Sequence, residues 1–139
     1  MIVYHASTVK IDKFYIPYGG LHVGGVHSAL EAALRKLRSP NNVVDANTVY
    51  LHKCRVNLGR ITSTDDAGGD DSWREIIAEC NSLGFDSVQY KNEYEPDVIP
   101  SFMIWNPEQI EILEVDVMHM DEAEMKIEDF LNEAGLLHY

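Results

Sequence analysis

The sequence predicts an α+β fold, on two observations. Strand-like segments outnumber helical ones, in the order β-β-α-β-α-β-β-β-α, and several neighbouring strands suit antiparallel pairing rather than the regular alternation of a doubly wound parallel sheet. At 139 residues the chain suits one domain around one core. A composition of 45% hydrophobic and 24% charged residues is that of a folded protein and argues against disorder.

The elements follow from local pattern. "IVYHA" (2–6) reads as an opening strand, and "STVKIDKFYIP" as a connector anchored by Ile11, Phe14 and Ile16, broken at Pro17 and Gly19-Gly20. "LHV" (21–23) is a short strand closed by Gly24-Gly25. A helix is expected from Ser28, a capping-box residue with Glu31 three positions on, followed by Ala29, Leu30, Ala33, Leu34 and Leu37 at helical spacing. "SPNN" (39–42) ends it. "TVYLHKCRVNLG" (48–59) alternates as a strand, and "TSTDDAGGDD" (62–71) reads as a loop. Ser72 opens a second helix through Leu83, with Trp73, Ile76, Ile77 and Cys80 on one side and Gly84 at its left-handed end. "FDSVQYKNEYE", "SFMIW" (101–105) and "IEILEV" (110–115) read as strands. "DEAEMKIEDFLNEAG" (121–135) is an amphipathic helix with Met120, Ala123, Ile127, Phe130, Leu131 and Ala134 in its stripe and Gly135 as its stop.

The net charge of −12 opposes direct binding to a nucleic-acid backbone. It is uneven: from Glu114 to Tyr139 eight acids face one lysine, so the tail holds most of the charge. The expected organisation is a domain over residues 1–115 and an acidic helical tail over 116–139, packed on or next to it. No apolar run reaches eighteen residues, so no membrane contact is expected. "MIVYHASTVK" lacks the basic and apolar regions of a secretion signal. Cys54 and Cys80 are too few for a disulfide framework and have no metal-like spacing. A cytoplasmic location is the expectation, with no metal.

Signatures of a dinucleotide-binding Gly motif, a P-loop, a nucleophile elbow or a zinc protease are absent from the sequence. Three places can carry chemistry. "YHAS" puts His5 at the end of the first strand. "GGLHVGG" has glycines that permit close approach to the backbone. "YKNEYEPD" holds Glu93 and Glu95 two apart, on one face of an extended chain with Lys91 and Gln89. Each also has a plainer reading: a strand-end histidine bonded to backbone, a turn, and a solvated strand edge.

Taken in order, "YHAS", "YGGLHVGGVHSALEAAL", "VYLHKCRVNLGR", "LGFDSVQYKNEYE" and "SFMIWNPEQIEIL" resemble the small ADP-ribosyltransferase-like proteins of phages and mobile elements, some of which act as anti-CRISPR proteins. The resemblance covers residues 2–113 and leaves the acidic tail uncovered. It implies a split antiparallel β-sheet core with flanking helices, to which the acidic C-terminal helix is added. It implies NAD as substrate. His5 takes the place of a first-strand histidine that holds NAD, with the Ala6 backbone and the Ser7 hydroxyl beside it. Gly20, Leu21 and His22 stand where that family has a strand bearing a tyrosine that stacks on nicotinamide, so His22 replaces the tyrosine. Ser101 stands where the polymerase and diphtheria-toxin branch has its catalytic glutamate. The acid is then expected from the preceding stretch, Glu93 first and Glu95 second, with Asn92 nearby. An arginine-modifying branch uses a first-strand arginine, an S-T-S strand and an E-x-E loop. Here Arg60 lies three residues from Ser63, too close for two separate strands, so "TST" is read as a loop, while Glu93-Tyr94-Glu95 fits either branch.

The function the resemblance implies is NAD-dependent mono-ADP-ribosylation of a protein target, such as a host defence protein or a nucleic-acid-binding complex, in the host cytoplasm if the gene is carried by a phage. Two alternatives stand beside it: a degenerate acidic protein that sequesters a nucleic-acid-binding partner, and an NAD glycohydrolase with water as acceptor.

Overall fold

A computed structural model describes residues 1–16, 20–38, 47–67, 70–91, 97 and 99–133. Among the described residues, seven strands and three α-helices run in the order β1 (Ile2–Ser7), β2 (Leu21–Val23), α1 (Val26–Arg38), β3 (Thr48–Val56), β4 (Ile61–Thr64), α2 (Asp70–Ser82), β5 (Ser87–Tyr90), β6 (Ser101–Ile104), β7 (Ile110–His119) and α3 (Met120–Glu133). The fold is mixed α+β. Its strands form two sheets, β1-β3-β7 and β2-β6-β5-β4. The sheets meet where Tyr4 and Gly24 exchange backbone hydrogen bonds of 2.7 and 3.1 Å.

Three apolar clusters follow from this layering. α1 and α3 cover one face of the first sheet, with Leu30, Leu34, Ala33 and Ala123 against Val49, Leu51 and Met118. Between the sheets lie Val3, Phe14, Leu21, Val23, Cys54, Val56, Phe102 and Ile104. α2 covers the second sheet, with Trp73 and Ile77 against Val88, Tyr90 and Met103. The strand β3 serves two clusters because its side chains alternate: Val49 and Leu51 face the helices, and Cys54 and Val56 face the other sheet.

Several local expectations change under tertiary contacts. α1 starts at Val26, not Ser28. Ser28 lies inside the first turn, and its N–H is capped at 2.8 Å by the carboxylate of Asp97, a residue 69 positions away. No local pattern announces such a cap. α2 starts two residues before Ser72. Its end is as expected: Gly84 has φ +83°, Phe85 N–H donates to Cys80 O at 3.0 Å and Gly84 N–H to Asn81 O at 3.1 Å, a Schellman motif.

"TST" is not a loop. Ile61–Thr64 forms β4, parallel to β5 from Ile61↔Ser87 to Thr64↔Tyr90, so the second sheet is mixed rather than wholly antiparallel. The strand is held at its start by a reciprocal clamp, since Asp86 accepts from Arg60 N–H at 2.7 Å and donates its own N–H to Arg60 O at 2.8 Å. β4 is an edge strand with neither face fully buried, so its sequence carries no alternation to read. β7 runs to His119, four residues past Val115, because Asp116–His119 keep pairing with β3 and Met118 reaches the helix-covered core. A bulge leaves Leu113 without a β3 partner, between Ile112↔Cys54 and Glu114↔Lys53. The breaks assigned to Pro17, Gly19, residues 39–42 and Gly135 lie outside the described residues.

The acidic helix α3 does not stand free. Arg38 on α1 reaches Glu124 at 3.0 Å and Glu31 at 3.4 Å. Burial of Ala123 and Ile127 against α1 holds the helix more firmly than this half-exposed ion pair, which is worth about 1 kcal/mol at most. Leu34, fully buried between α1 and the first sheet, tests the layer: Leu34→Ala should cost about 3 kcal/mol of unfolding free energy by urea denaturation. A loss below about 1 kcal/mol would mean that the layer is not packed to native density.

Candidate functional site

The site forms where the two sheets touch. The Tyr4–Gly24 bridge sets β2 beside the end of β1, and the next residue on β1 is His5. His5 Nδ1 lies 3.0 Å from the backbone oxygen of His22. Since a carbonyl only accepts, Nδ1 carries the proton and Nε2 is left as an acceptor. The two early histidines are thus joined, but through one ring and one backbone group. Their rings lie in different clusters: His5 meets Phe14 at 5.4 Å between the sheets, and His22 sits with Trp73 at 5.3 Å and Tyr90 at 5.6 Å.

A third histidine supports the first. His52 on β3 is fully buried opposite His5 in the strand register. Its Nε2 accepts from Ile11 N–H at 2.9 Å, so its Nδ1 is the protonated nitrogen and donates to His5 O at 3.0 Å. His52 therefore ties the 8–16 connector and β1 to β3. Burial pushes the pKa of both His5 and His52 below the usual 6.5, and both rings are neutral. Alternation along β3 places His52 on the inner face between Tyr50 and Cys54, and that was its one visible signal.

The remaining predicted residues divide. Ser101 is buried at the start of β6, with its Oγ against the bare face of Gly24: a Cβ there would lie 3.0 Å from Ser101 Oγ and 3.1 Å from Ser28 Oγ. His22 Nδ1 shares a 2.6 Å hydrogen bond with Tyr90 Oη. Trp73 and Tyr90 are 1% and 5% exposed, so of this aromatic trio His22 is the least buried residue. The Ser7 hydroxyl donates to the Val9 carbonyl in a tight local turn. Ala6 points its methyl to the helix-covered core, and Leu21 packs between the sheets. At Gly20, φ is +80° and the space of the missing Cβ is filled by Met103 Sδ and Ile77 Cδ1. Asn92, Glu93 and Glu95 lie outside the described residues.

Sequence reasoning missed the group at the start of α1. Asp97, with a side chain only 2% exposed, lies 3.6 Å from His27 Nδ1 in the first turn of α1. His27 Nδ1 has no hydrogen-bond partner among the described residues, and its ring stacks on Phe130 of α3 at 4.0 Å and 7°. A Cβ on Gly25 would lie 2.3 Å from Asp97 Oδ2, so glycine is required there for the cap to form. A separate hollow of about 580 Å³ opens on the far side of the first sheet, beside Tyr4, Val26, Lys53, Glu114 and Asp116, and includes neither His5 nor His22. Among the described residues there is no cluster of three metal-ligating side chains, and no helix is long and apolar enough to cross a membrane.

No protein-family model and no curated protein matches the chain. Among solved structures it is similar in fold to a chain in the crystal structure of the M. tuberculosis MbcT–MbcA toxin–antitoxin complex. The TM-score is 0.61 at 8% identity, over 91% of this chain and 88% of that one.

The buried histidines make stability depend on pH with a definite sign. Below pH 6.5 the unfolded chain takes up protons that folded His5 and His52 refuse, so stability falls as pH falls through that value and levels off only below the folded pKa values. Melting temperature should therefore drop between pH 7.5 and 5.5, and His52→Gln, which cannot titrate, should flatten the drop. An equal slope in both proteins would refute the assignment. His52→Ala leaves Ile11 N–H and His5 O without this partner and should cost about 2 kcal/mol or more in urea.

Proposed function

We propose that this protein is an NAD-dependent ADP-ribosyltransferase that modifies a protein. The observation that carries the reading is the join between His5 and the His22 backbone. It brings together the first-strand histidine and the glycine-flanked strand, the two pieces in which the sequence resembles NAD-binding transferases. The tautomer is suitable: with Nδ1 donating to His22 O, His5 Nε2 is free to accept from a ribose hydroxyl. His22, partly buried beside Trp73 and Tyr90, would present a ring edge or face to a planar base, and Ser101 would supply a hydroxyl beside Gly24. The similarity to a chain of a toxin–antitoxin complex supports the α+β fold and adds the idea of an antagonist protein partner.

The chemistry calls for a carboxylate. Cleavage of the nicotinamide–ribose bond builds positive charge on the ribose, which a glutamate stabilises by several kcal/mol while holding the 2′-hydroxyl. Glu93 is our first choice and Glu95 the second. The neutral state of His5 suits a hydroxyl acceptor better than a cation would beside a developing positive charge. One pair of observations favours a binding protein without catalysis: the Ser7 hydroxyl and the His22 Nδ1 are already bonded to Val9 O and Tyr90 Oη. With water in place of an acceptor side chain, the same site would hydrolyse NAD.

Incubation with NAD, alone and with bacterial lysate, separates these readings. An ADP-ribose adduct by mass spectrometry indicates transfer. Free ADP-ribose without an adduct indicates hydrolysis, and intact NAD indicates binding alone. Glu93→Gln should lower nicotinamide release by about a hundredfold or more. Full activity in both Glu93→Gln and Glu95→Gln would remove these acids from the site. His5→Ala should weaken NAD binding about tenfold by calorimetry, the worth of one hydrogen bond. Unchanged affinity would remove His5 from it.

A further inference from the structure

We propose that the outer edge of β7 is a docking site for an extended basic segment of another protein, added as a further strand to the first sheet. β7 is ten residues long and pairs with β3 along its inner side, while its outer side borders no strand among the described residues. Such an edge is a template for pairing, and proteins guard it with lysine, proline, bulges or cover. β7 has the bulge at Leu113 but neither proline nor lysine. It carries Glu111, Glu114 and Asp116 instead, all exposed.

These acids define the partner. Two copies of β7 side by side would oppose carboxylates, so self-pairing is disfavoured. Beyond the bulge, Glu114 and Asp116 share the face that carries Met118, and border the hollow of about 580 Å³ with Tyr4 and Lys53. Lys53 offsets one of these carboxylates, and the hollow keeps a negative balance. Val115 and Val117 take the opposite face, and Val117 is 56% exposed. A strand whose lysines or arginines alternate with aliphatic residues would match both faces together: charge over Glu114 and Asp116, methyl groups over Val115 and Val117. Its backbone would supply the ladder. The surrounding net charge of −12 would speed the encounter with such a segment. This inference does not rest on the NAD reading, since neither His5 nor Glu93 takes part.

The test omits NAD, so its failure and the failure of the transferase reading remain distinct. The probes are fluorescent ten-residue peptides that match the length of β7. One alternates lysine with valine, one alternates glutamate with valine, and one is the lysine peptide with alternate amides N-methylated. By anisotropy at low ionic strength, the lysine peptide should bind at least about tenfold tighter than the other two. The Glu114→Lys, Asp116→Lys double variant should lose about tenfold in affinity for it, with an unchanged melting temperature. Asp116→Asn serves as a milder variant if the double one folds poorly. Hydrogen exchange should slow at residues 111–118. Equal binding of the N-methylated peptide would show attraction by charge alone and overturn strand addition. Undiminished binding by both charge variants, protection confined to α3, or no binding would overturn it too.

Discussion

The molecule depends on one contact between backbones. Tyr4 and Gly24 exchange two hydrogen bonds and so join sheets that, among the described residues, otherwise meet through side chains. Gly24 and Gly25 let the second sheet and α1 close up behind the bridge: a Cβ on the first would crowd Ser101 and Ser28, and one on the second would strike Asp97. The bridge sets the distance from His5 to the His22 carbonyl, the entry of α1 and the place of Ser101. The apolar cluster between the sheets makes it durable, since Val3 and Val23 flank the bridging residues and are almost fully buried. Two hydrogen bonds alone, at about 1 kcal/mol each, would not hold two sheets against thermal motion.

Hydrogen bonds then run from strand to strand through neutral imidazoles. His52 donates to His5 O, and His5 donates to His22 O. Each ring is oriented by a backbone acceptor on the next strand, so tautomers are fixed without any charge. Low polarity around the rings keeps them unprotonated, and it makes any loss of a partner costly. The protein thus has a hydrogen-bonded polar line from β3 through β1 to β2.

The acidic C-terminal helix is part of the same construction. It follows β7 without a gap, buries Ala123 and Ile127 against α1, and stacks Phe130 on His27. His27 in turn lies beside Asp97, which caps α1. One helix therefore braces the residues that frame the start of α1, while its acids remain at the surface. The charge it carries separates into a packed face and a solvated face, as its helical spacing requires.

The sequence by itself determined the elements whose signal is local. The apolar spacing of α1, the Gly84 stop of α2, the alternation of β3 and the stripe of α3 all reflect one residue's relation to the next few. It also marked His5, the GGLHVGG strand and Ser101 as belonging together, through resemblance. Tertiary structure alone decided the rest. β4 is a strand because β5 lies beside it, not because "TST" alternates. α1 begins at Val26 because Asp97 arrives from far along the chain. Ser7 and Gly20 are occupied by Val9 O and by Met103 with Ile77, which no spacing foretells. His52 and Tyr90 became polar partners of the site only once three strands were aligned. The physical reason is the same in each case. A hydrogen bond or a packed contact between distant residues depends on where the sheets bring them, and sequence pattern records only the periodicity of each segment's own face.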